Sequence, residues 1–147
     1  MKKVVIIFIV LFAVFTKSTA QDSFTINMGA GIVSKYVIRG VEYGKGSFQP
    51  DITFSYKGAF INGWAYIPFD NNNFKELDLT LGYYNRGFIF SVVDYISFYP
   101  KNMVEDNSFT NFNDNHQIEI HAGYERKYFA FNWFTTVAVY DGVNSKG

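Results

Sequence analysis

From Phe24 onward apolar and polar residues alternate with a period of two, and no stretch of the region carries a helical period. Phe24, Ile26, Met28, Ala30 and Ile32 share one face of a strand, with Thr25, Asn27, Gly29 and Gly31 on the other. Ile52, Phe54 and Tyr56 alternate with Asp51, Thr53 and Ser55. Leu77, Leu79, Leu81 and Tyr83 alternate with Glu76, Asp78, Thr80 and Gly82. Ile118, Ile120, Ala122 and Tyr124 alternate with Gln117, Glu119, His121 and Gly123. Phe129, Phe131, Trp133, Val137 and Val139 alternate with Ala130, Asn132, Thr136 and Ala138. Two further segments, about Phe60–Ile67 and Phe88–Phe98, are apolar on both faces, and Asp94 in the second suggests a bulge near Val93. The pattern predicts seven strands.

The links between them differ in length. Lys57-Gly58, Tyr84–Gly87 and Glu125–Lys127 are short, whereas Gly40–Phe48, Pro68–Lys75 and Pro100–Asn115 are longer and polar. Short turns at one end and long loops at the other are the habit of outer-membrane barrels, with the short turns periplasmic. A pattern also recurs. Glu76-Leu-Asp-Leu-Thr-Leu-Gly-Tyr83 and Gln117-Ile-Glu-Ile-His-Ala-Gly-Tyr124 match in their sequence of polar, apolar, acidic and aromatic positions, 41 residues apart. Each copy precedes a tight turn and an aromatic strand, so the recurrence reads as repeated hairpin architecture.

Residues 1–20 read as an export signal. Lys2 and Lys3 precede an apolar run from Val4 to Phe15, and Ser18-Thr19-Ala20 places small residues at a cleavage site before Gln21. That run is shorter than the roughly 20 apolar residues of a spanning helix. The mature region, residues 21–147, then forms one domain. Ten of the 13 basic residues remain in it against 13 acidic ones, a dispersed net charge of −3 that argues against nucleic-acid partners. Cysteine is absent, which removes disulfides and thiolate metal sites. Aromatic residues make up 20% of the chain, as strands and membrane interfaces favour.

Alternation alone does not say which face meets solvent, since a soluble lipocalin-like barrel has the same period with the faces exchanged. The non-apolar face is made mostly of Gly, Thr, Ser and Asn, where a soluble barrel would carry Lys and Glu. Tyr56, Tyr83, Tyr84, Phe88, Tyr124 and Tyr128 flank the short turns, and Tyr66, Phe69, Phe98, Tyr99 and Tyr140 the long ones. Two such aromatic belts around an aliphatic band turn the apolar face toward lipid. The expected fold class is therefore all-β, an antiparallel up-and-down transmembrane β-barrel with about seven strands present. By parity its interior receives Lys35, Arg39, Asp51, Glu76, Asp78, Glu119 and His121. Charges withdrawn from water are tolerated when paired, so these residues are expected to form a lumen charge network. A charged constriction in an open pore is the other reading.

The segment Ser34-Lys-Tyr-Val-Ile-Arg-Gly40, with Gln49-Pro-Asp-Ile52 and Glu76-Leu-Asp-Leu-Thr-Leu-Gly-Tyr83, resembles the TorF-like porin family, a bacterial outer-membrane β-barrel family of unknown function. The resemblance covers about Phe24 to Tyr140. It implies an outer-membrane barrel of porin type and supplies no catalytic residues, only Arg39 and the Glu76/Asp78 pair as signature positions. The chain departs from such barrels in its odd strand count and in its last residues, Asp141-Gly-Val-Asn-Ser-Lys-Gly147, where a terminal aromatic strand is usual. The barrel is accordingly expected to be incomplete at the C-terminus.

Chemistry for catalysis is sparse. His116 and His121 fall on opposite faces of one strand, so they do not make a metal pair. A serine nucleophile would need Ser91 or Ser97 beside His121. The Asn-rich stretches Asp70–Asn73 and Asn102–Asn115 lack the acidic spacing of a calcium loop. No enzyme activity, cofactor or metal is expected. The expected partners are outer-membrane lipid, the insertion machinery and small solutes. The leading expectation is a porin for passive solute passage; a non-conducting structural or adhesive barrel is the alternative.

Overall fold

The computed structural model describes residues 24–70, 74–99 and 115–141. The expected export signal, all of the Asp70–Asn73 stretch but Asp70, nearly all of Pro100–Asn115 and the last six residues lie outside them. The described chain forms β1 (Thr25–Ile38), β2 (Val41–Tyr56), β3 (Ala59–Pro68), β4 (Lys75–Asn85), β5 (Phe88–Phe98), β6 (Asn115–Arg126) and β7 (Phe129–Asp141). All seven belong to one sheet in sequential order, each antiparallel to the next. The sheet is an up-and-down meander with β1 and β7 as its two edges, and it is open.

Three hairpins turn on a basic residue followed by glycine. Arg39-Gly40, Lys57-Gly58 and Arg86-Gly87 all have positive φ at both positions, 51° and 83°, 51° and 87°, 50° and 94°. That backbone matches the right-handed twist of the flanking strands, and glycine adopts it without the penalty of a Cβ. The first of these turns corrects an expectation. Gly40–Phe48 is not a long link: β2 begins at Val41, and residues 41–48 pair with β1. Gly44 and Gly46 mimic loop composition there for a different reason. A Cβ on Gly44 would lie 2.2 Å from the Tyr66 hydroxyl oxygen, so the glycine makes room for a ring.

The register holds a second correction. No shift occurs near Val93, and β4–β5 and β5–β6 pair without interruption. Asp94 therefore keeps the face of its neighbours Leu79 and Ile118. The shifts fall instead between Tyr36 and Val37 in β1 and between Ile118 and Glu119 in β6. Counting by twos from Gly29, which faces Asp51, would put Lys35 beside the acids. The side chain that reaches Glu76 is Tyr36, so β1 changes face between Gly29 and Tyr36.

The sheet is strongly curled. Arg39, at the β1–β2 turn, reaches Glu119 on β6. In a flat sheet β1 and β6 would stand five spacings of about 4.8 Å, roughly 24 Å, apart, far beyond one arginine side chain. The face carrying Glu76, Asp78 and Glu119 is thus concave. Its buried side chains are more often polar than apolar: Ser47, Glu76, Ser91, Asn115 and Glu119 are buried there, against Tyr36, Tyr66 and Val93. The other face is the reverse. Met28 is 77% exposed, Ile32 78%, Leu81 62% and Phe131 56%. Among the described residues no second layer covers them.

Candidate functional site on the concave face

Two groups of side chains occupy the concave face. The first is centred on Glu119 in β6, whose side chain is 1% exposed. Arg39 grips it with both arms of the guanidinium, Nη1 to Oε1 at 3.2 Å and Nη2 to Oε2 at 2.7 Å. Gln117 Nε2 and Thr136 Oγ1 each donate to Oε1 at 3.0 Å. His121 Nε2 meets Oε2 at 2.9 Å. One carboxylate therefore receives two charge-assisted bonds and three more contacts, from β6, β7 and the β1–β2 turn. Such saturation is what burial of a carboxylate requires. The Arg39 guanidinium also lies 3.5 Å from the centre of the Phe134 ring, a cation–π contact. The hydrogen bond to Glu119 raises the Arg39 pKa above its already high value, against the opposing effect of burial, so the turn carries a fixed positive charge.

The second group lies on β4. Glu76 accepts a hydrogen bond from the Tyr36 hydroxyl and a 3.5 Å contact from Ser97 Oγ. Asp78 follows one pleat along the same face, between Trp64 of β3 and Tyr95 of β5 in the register. Its Oδ1 is shut off from solvent and has no hydrogen-bond partner. Aromatic rings pack around these acids: Tyr36 lies 4.7 Å from Tyr66 and 5.4 Å from Trp64, and Tyr66 lies 5.3 Å from Phe74, centroid to centroid. Between the two groups is a cleft of about 320 Å3, lined by Arg39, Tyr43, Phe74, Glu76, Tyr95 and Glu119 among others.

The residues expected to form a charge network are thus placed in four ways. Arg39, Glu119 and His121 meet in one cluster, and Glu76 and Asp78 sit together beside it. Asp51 shares their face but lies under Gly29, across β3 from Asp78. Lys35 stands apart, its ammonium bound to Glu42 at 2.6 Å on an exposed part of the β1–β2 hairpin. Sequence reasoning missed Tyr36 and Phe134. The Ser-x-Tyr-x-x-Arg-Gly element held a signal for the first, since its Tyr36 and Arg39 are the two residues of β1 and its turn that reach the acids. Tyr66, expected in an aromatic belt, is instead fully buried against Tyr36.

The histidines separate as their parity indicated. His121 belongs to the Glu119 cluster, while His116 Nδ1 contacts Asp94 at 2.9 Å. Asp94 was not foreseen as a partner because the bulge expected beside it would have turned it inward. Ser91 stands opposite His121 in the register and is buried, yet no hydrogen bond joins the two among the described residues. No group of three His, Cys, Asp or Glu residues there is placed to hold a metal ion.

Comparison with known proteins gave no relative: no family model, no curated protein and no solved structure matches the chain.

Proposed function

We propose that this chain is an integral β-barrel protein of a Gram-negative outer membrane, exported by its N-terminal signal, with its convex face in lipid and a polar interior closed to bulk solute flow. The carrying observation is the inverted distribution of side chains. Large aliphatic and aromatic residues point outward from a single curled sheet, while Glu76, Glu119, Ser47 and Ser91 are buried on the inside. In water, one sheet layer with an uncovered apolar face violates the rule that such faces pack against a second layer. In a bilayer the same face is solvated by lipid and the strands satisfy each other's backbone groups. That no helix among the described residues is long and apolar enough to cross a membrane is compatible with crossing by strands.

The non-conducting reading is favoured over the passive porin by one contact. The Arg39–Glu119 bridge crosses the concave space from the first turn to the sixth strand, and Tyr36 and Tyr66 occupy the volume beside it. Small barrels are filled in this way by their own side chains. The porin reading draws on the resemblance of the Ser34–Gly40 and Glu76–Tyr83 segments to TorF-like porins. Purified full-length chain is expected to partition into the detergent phase and to migrate faster on gels before heating than after. Recovery in the aqueous phase without detergent would overturn the membrane reading. In planar bilayers the folded protein is expected to be silent; regular conductance steps would restore the porin.

A further inference from the structure

The acids of the concave face outnumber the cation beside them. Arg39 is held by both oxygens of Glu119 and covered by Phe134. Among the described residues Glu76 has only the hydroxyls of Tyr36 and Ser97 for partners, and Asp78 one pleat away has a buried oxygen with none. Among the described residues, no Lys or Arg forms an ion pair with either of these two carboxylates. Glu76 opens on the cleft, whose volume of about 320 Å3 suits a small molecule. Tyr43, Phe74, Tyr95 and Tyr99 line the same space. Carboxylates set among aromatic rings attract a cation twice over, by charge and by the quadrupoles of the rings. A bare metal ion fits poorly, because among the described residues no three metal-binding side chains converge there. An organic ammonium needs no such convergence: its methyl or methylene groups rest against rings while one carboxylate neutralises it.

We propose that the cleft binds the ammonium group of a small organic cation, with Glu76 as counter-ion and Tyr43, Tyr95 and Tyr99 as its aromatic lining. The Arg39–Glu119 pair closes the far side and keeps the guanidinium from competing for Glu76. The site does not depend on which phase meets the convex face.

Choline is a suitable probe, with its uncharged isostere 3,3-dimethyl-1-butanol as control. Both are titrated against the full chain, dispersed in dodecyl maltoside or in buffer, and followed by tyrosine and tryptophan fluorescence. Choline is expected to give saturable quenching and to bind at least about tenfold more tightly than the alcohol, the scale of one desolvated cation–π and charge contact. Glu76→Gln is expected to weaken choline about tenfold, and Lys45→Ala to leave it unchanged. If Glu76→Gln fails to fold, Tyr95→Leu takes its place, with an expected weakening of about threefold from the lost ring contact. Equal binding of the two probes, or no saturable binding of choline, overturns the proposal, and neither result needs a variant. A chain that stays in buffer but still prefers choline would overturn the membrane reading alone.

Discussion

Glu119 and Asp78 are two carboxylates on the same concave face, and their surroundings are opposite. Glu119 is 1% exposed and receives bonds from Arg39, Gln117, Thr136 and His121. Asp78 has an oxygen buried with no donor among the described residues. The first arrangement is structural: three separate parts of the chain converge on one acceptor, and the convergence holds the sheet curled. The second contributes nothing to holding the fold together, since a buried acceptor without a partner costs about 1–3 kcal/mol. Burial of a charge therefore says little by itself; the set of donors decides whether it locks the fold or stays poised for something else.

The contrast can be broken most directly at Arg39. Arg39→Ala leaves an almost fully buried carboxylate without its cation, and the expected loss is about 3 kcal/mol in unfolding free energy, at the low end because the Arg39 side chain is 42% exposed. Urea titration in detergent measures it, and a loss below about 1 kcal/mol would show that the bridge does not hold the curl. Arg39→Lys should recover only part, because an ammonium does not reproduce the two-armed grip.

The same chemical change at the two acids should then give opposite signs. Glu119→Gln is expected to cost about 2 kcal/mol, as charge-assisted bonds become ordinary ones. Asp78→Asn is expected to stabilise by about 1 kcal/mol, because a buried carboxyl without a donor is exchanged for an amide that carries its own donors. Equal destabilisation at both sites would mean that Asp78 has donors the geometry does not reveal. Phe134→Leu removes the ring from beneath the guanidinium at a cost of about 0.5–1 kcal/mol. A double-mutant cycle with Arg39→Ala should show that this loss vanishes once the arginine is gone. The smallest effect belongs to Lys35→Ala. Its pair with Glu42 is short but exposed on both sides, so the change should stay under about 0.5 kcal/mol. A larger loss would place Lys35 in the network after all.

Much of the sheet was legible because strand formation writes itself locally. Leu77, Leu79 and Leu81 alternate with Glu76, Asp78 and Thr80 whatever lies next to them, and Lys57-Gly58 announces a two-residue turn. Residues 41–48 were not legible, because a glycine that makes room for Tyr66 looks the same in sequence as one that bends a loop. Parity served β4 and β6 well and misled in β1, where a change of face exchanged Lys35 for Tyr36. Asp94 shows the converse. Its charge argued for a bulge, but pairing with His116 let it remain on its own face.

By itself the sequence determined the seven strands, their meander order and the separation of apolar from polar faces, because each depends on residues within a few positions of one another. Only the tertiary structure decided which charges meet. Arg39 and Glu119 are 80 residues apart, and nothing local brings them together. Their contact exists because the sheet curls, and that curl is the sum of twists and register shifts over six strand pairings. A charge network is a property of that accumulated curvature, so the acid that is locked and the acid that is left open could be told apart only once the sheet was seen folded.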